Sequence, residues 1–284
     1  MLTATKAQPI SYDINLPYDE LPGDTDLVRS PTSLRVKDAS VPELHKAGIE
    51  ITHITPGLGS YISGIQLNQL SDVAKDELAH LIAQRKVLAF ENQDLIDDGP
   101  AAQQEFMNYY GNGYPGFQII QRDGNKEELA RFLEQRPTTT LWHQDVSYEI
   151  QPPGYVILGY LQVSPEVGGD TLFTATYTAY KRLSPTMQSF PPLGAHTSRT
   201  GERCPFINGD VVTKIEGLKE PGFRVLQELL MQHMITGLGG RPGVWWGDAH
   251  TAVVDYIDED ESVKLRHLFR LAAMAENPIP VGQA

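Results

Sequence analysis

Residues 71–84 carry apolar side chains at helical spacing, with Ala74, Leu78, Leu81 and Ile82 on one side and Ser71 or Asp72 in place to cap the first turn. The pattern predicts further helices over 127–134, over 175–183 where Pro185 stops it, and over 223–235 where Gly237 ends it. Period-two alternation and short apolar runs predict strands within 57–67, at 87–90, over 155–163, around Val244 and Val253, and over 264–274. Residues 1–45 are polar and carry Pro9, Pro17, Pro22, Pro31 and Pro42, which reads as an extended arm ahead of a single domain over 46–284. Scattered strands with helices inserted between them suit a closed or two-layer β architecture.

Composition narrows the function classes. A 40% hydrophobic share is enough for a core, and no apolar run reaches the 18 residues of a membrane span. The first residues lack the apolar centre of a secretion leader, and one cysteine, Cys204, excludes an intrachain disulfide. A cytoplasmic protein without membrane attachment is therefore expected. The net charge of −13 argues against a nucleic-acid partner. An anionic small molecule would have to be drawn in by local arginines instead of the overall field. Self-association into a homo-oligomer is left open.

The chemistry concentrates in the run Trp142-His143-Gln144-Asp145. On an extended segment, positions 143 and 145 fall on one face. An imidazole and a carboxylate on one face are two of the three ligands of a 2-His-1-carboxylate triad for non-haem Fe(II). The plainer reading is a surface His and Asp flanking a core Trp. Further along come Pro152-Pro153, then Gly168-Gly169-Asp170-Thr171, then His250 followed by Asp255-Tyr256, then Arg266 and Arg270.

That order of motifs resembles the TauD/TfdA family of taurine/2-oxoglutarate dioxygenases, in particular its fungal sulfonate-dioxygenase-like members, from about residue 51 to about residue 275. The resemblance implies a mainly β fold with flanking helices, a double-stranded β-helix (jelly roll, cupin-like). It implies Fe(II) held by His143, Asp145 and His250, with 2-oxoglutarate as co-substrate and O2 as oxidant. By the same resemblance Thr171 and Arg266 bind the far carboxylate of 2-oxoglutarate, and Arg270 anchors an anionic substrate. Tyr110 and Tyr114 are expected to line the substrate pocket; the plainer reading has them packing beneath a surface loop. The implied reaction hydroxylates a small sulfonate, sulfate ester or carboxylate and releases succinate and CO2.

Two departures bear on activity. The family's W-D-N-R-x-T-x-H stretch is shortened to Trp246-Gly247-Asp248-Ala249-His250, without its arginine. The segment 106–116 also lacks the histidine that helps grip a sulfonate in taurine enzymes. The alternative is thus a degenerate relative that binds metal or ligand without efficient turnover. The remaining histidines compete poorly as ligands; His233, in an apolar helical stripe, is expected to pack or to close a helix.

Overall fold

The computed structural model describes residues 40–111, 118–121, 143, 153–162, 171–190, 196–197, 203–205, 212–215, 217–236, 249–253 and 267–274. Its first element is a short helix, α1 (Pro42–Lys46), inside the stretch expected to be an extended arm. Leu44 is fully buried there, and its backbone N–H donates to the Glu77 carboxylate at 2.8 Å. Glu77 belongs to α2 (Asp72–Arg85) and is itself buried. A carboxylate set against the open N–H groups of a helical first turn is stabilised by them, so this contact fastens α1 to α2. α2 starts where the sequence indicated, with the Ser71 hydroxyl accepting from the Ala74 N–H at 3.2 Å.

α2 also serves as a crossover. Strands β1 (Glu50–His53), β2 (Ser60–Ser63) and β3 (Leu88–Phe90) form one sheet, with β1 antiparallel and β3 parallel to β2. A parallel neighbour needs a long connection, and α2 provides it. At the start and end of the β1–β2 hairpin, Gly48 and Gly64 cross closely. Both have positive φ, and a Cβ on Gly64 would lie 2.1 Å from the Gly48 carbonyl oxygen.

The loop between β1 and β2 is held by a buried cation. Arg85, 9% exposed, donates from Nη1 to the Pro56 carbonyl at 2.9 Å and from Nη2 to the Thr55 and Gly59 carbonyls at 2.6 and 2.7 Å. Its Nε donates to the Ser60 hydroxyl at 2.8 Å. Because Ser60 accepts from Arg85, its own proton is available to His53 Nδ1, 3.0 Å away. Desolvation lowers the guanidinium pKa, with nearby Tyr177 acting the other way. The carbonyl cage thus does the work that a carboxylate partner would otherwise do.

Helix α3 (Gly99–Asn108) was not anticipated; it opens with a proline in its first turn and buries only Gln103, Phe106 and Met107. It packs beside a second sheet of β4 (Gln118–Gln121), β5 (Pro153–Gln162) and β10 (His267–Met274), antiparallel in the order β4-β10-β5. Strand β6 (Thr171–Ala175) pairs antiparallel with β9 (Ala249–Val253), and β7 (His196–Thr197) with β8 (Arg203–Cys204). After β6 comes α4 (Thr176–Arg182), and Pro185 both bars its continuation and opens α5 (Pro185–Gln188), capped by Ser184. The long helix α6 (Glu220–Thr236) buries Leu230 against Tyr180 and Leu183. The expected helix at 127–134 and the strand at Val244 lie outside the described residues. Among the described residues no helix is long and apolar enough to cross a membrane.

Alternation along β5 and β10 gives their sheet two different faces. Tyr155, Ile157, Leu271 and Ala273 join the main core with Leu44, Leu78, Leu81, Phe106 and Met107 of the helices. Val156, Leu158, Tyr160, Arg270 and Ala272 fall on the opposite face, since Arg270 pairs with Leu158 and Ala272 with Val156.

Removing the Arg85 clamp should destabilise this first layer. Arg85→Ala strands four acceptors and should cost about 3 kcal/mol or more in urea unfolding. Arg85→Lys, which keeps the charge and loses the planar fork, should fall between the two. Equal stability of Arg85→Ala and the parent chain would show that the loop does not depend on the clamp.

Candidate active site

His143 stands on an isolated bridge position and is half-buried. His250 lies in β9, directly across from Thr174 of β6, and Thr171 lies across from Val253 in the same ladder. The two-stranded ladder therefore carries one expected iron ligand and one expected co-substrate residue. Asp145, Arg266 and Tyr114 lie outside the described residues, and β10 begins one residue after Arg266. Among the described residues no group of three His, Cys, Asp or Glu could hold a metal ion.

The other histidines have structural surroundings of their own. His233 Nε2 sits 2.8 Å from the Ala179 carbonyl, so it donates there and ties α6 to α4. That matches the packing role expected for it. His80 Nε2 pairs with Gln84 one turn away at 2.9 Å, and His53 meets Ser60. His196 is the register partner of Cys204 in the β7–β8 ladder.

The two predicted substrate residues within the described chain part company. Arg270 is half-buried on β10, with its Nη2 atom shielded from solvent. Tyr110 is 6% exposed and sits in the helix-facing core, its ring against Phe106, Tyr109 and Tyr155 at centroid separations of 5.5, 5.4 and 5.4 Å. Tyr155 is on the opposite face of the sheet from Arg270, so Tyr110 and Arg270 cannot line one pocket. Tyr110 is a buried core residue in this structure. The segment's aromatic density could not reveal this, because the side of the sheet it covers depends on the β5–β10 register.

Sequence patterning had also passed over Arg85 and Tyr177. The Tyr177 hydroxyl donates to the Gly57 carbonyl at 3.0 Å, joining α4 to the clamped loop. Lys86 and Lys181 lie 4.7 and 5.1 Å from its ring centroid.

Comparison with known proteins places this arrangement. The profile of the family described as "Taurine catabolism dioxygenase TauD, TfdA family" matches residues 50–191, half of the 284. The chain belongs to this family. A Saccharomyces cerevisiae alpha-ketoglutarate-dependent sulfonate dioxygenase is 42% identical over 153 residues, which is 50% of this chain and 37% of that protein. An alpha-ketoglutarate-dependent dioxygenase of Penicillium expansum is 26% identical over 299 residues, covering 86% of this chain and 80% of its own. The crystal structure of a taurine dioxygenase from Burkholderia xenovorans superposes with a TM-score of 0.63 at 21% identity, covering 83% and 94% of the two chains. It shares the fold. TauD-family dioxygenases work with Fe(II), 2-oxoglutarate and O2.

The residues present fit those groups. His143 is a partly exposed imidazole, and a neutral imidazole is a natural iron ligand. Arg270 stands between Leu158 of β5 and Gln118 of β4, its direct cross-strand partners, on the face of the sheet turned away from the helix-facing core.

The placement of Tyr110 can be checked by stability. Its hydroxyl is buried without a hydrogen-bond partner, and burial, reinforced by Tyr155, Tyr109 and Asp76, holds its pKa well above the ordinary value of about 10. The folded state then keeps a proton that the unfolded chain loses. This stabilisation is intact below about pH 10 and declines as pH rises from there towards the folded value. Tyr110→Phe should stabilise the protein by about 1 kcal/mol and flatten the loss of stability above about pH 10. A destabilised Tyr110→Phe variant would mean that the hydroxyl does have a partner.

Proposed function

We propose that the protein is an active Fe(II)- and 2-oxoglutarate-dependent dioxygenase, built on a double-stranded β-helix, that hydroxylates a small anionic substrate. The observation that carries the reading is Arg270, a half-buried guanidinium on β10 between Leu158 and Gln118, in a protein with net charge −13. Its relatives' sulfonate chemistry supports an anion of that class, a sulfonate, sulfate ester or carboxylate.

His143, Asp145 and His250 hold the iron, and one carboxylate against a divalent ion leaves net positive charge for the 2-oxo acid. Thr171 and Arg266 take the far carboxylate of 2-oxoglutarate, a hydroxyl and a planar guanidinium giving a bidentate, oriented grip. Arg270 fixes the substrate's anionic group, which sets the distance from that group to the carbon that reacts. Tyr114 lines the pocket. When bound, Fe(II) with O2 and 2-oxoglutarate supplies the oxidation: one oxygen atom goes into succinate as CO2 leaves, and the other converts a substrate C–H into C–OH.

The shortened stretch ahead of His250 favours the second reading, a relative that binds without turnover. Succinate formation from 2-oxoglutarate, assayed with a panel of sulfonates, sulfate esters and carboxylates, separates the two. His143→Ala and Asp145→Ala should each abolish Fe(II)-dependent succinate formation and leave unfolding unchanged. Wild-type turnover in either would remove that residue from the iron site.

The two arginines should separate as well. Arg266→Ala should weaken 2-oxoglutarate binding by about 2–5 kcal/mol, read from the charge-transfer absorbance of the anaerobic Fe(II) protein. Arg270→Ala should keep that absorbance and weaken the substrate instead. The reverse result would exchange their roles.

A further inference from the structure

We draw no further inference here: the strongest candidate, the surface patch formed by the exposed Val225 and Leu229 one turn apart on α6, carries nothing because nothing in the structure shows what covers it.

Discussion

The pairing of β5 with β10 is the constraint on which the rest depends. These strands come from the middle and the end of the chain, and their register decides which side of the sheet each residue occupies. In the observed register Leu271 and Ala273 enter the helix-facing core and Arg270 faces away from it. A slip by one residue would exchange the two sets, driving a guanidinium among Leu44, Leu78 and Met107 and exposing the leucine. The penalty for burying that charge among aliphatic residues holds the register firmly. The residue read as a substrate anchor thus also helps to specify the fold.

The first sheet is organised by charges in a different way. Glu77 and Arg85 sit on the same helix, are both buried, and each is satisfied by backbone groups instead of by an opposite side chain. Glu77 accepts from the Leu44 N–H in the first turn of α1, and Arg85 donates to carbonyls of the β1–β2 loop. Each contact ties a piece of irregular backbone to a regular element, and Tyr177 extends the second tie to the segment following β6. The loop is therefore linked, through few bonds, to the strand that carries Thr171.

Much of the regular structure was legible in the sequence because it rests on local pattern. The spacing of Ala74, Leu78 and Leu81 and the cap at Ser71 gave α2, and the apolar run after Pro153 gave β5. α1 and α3 were missed for a physical reason: each buries few apolar side chains, and α3 spends one of its buried positions on Gln103, so neither shows a period. The motif order made the family legible. The side of the sheet on which Tyr110 and Arg270 lie was not, since it is fixed by pairing between distant strands.

The close crossing of Gly48 and Gly64 has a consequence for how this chain can evolve. With one carbonyl occupying the space that a side chain on the other would need, and both backbones at positive φ, neither position tolerates replacement alone. A compensating change at the partner does not help, because a second side chain adds bulk and relieves nothing. The crossing is a point at which drift is blocked from both sides, so variation in this layer is channelled into the exposed positions of β1 and β2, where Tyr61 already presents its ring to solvent.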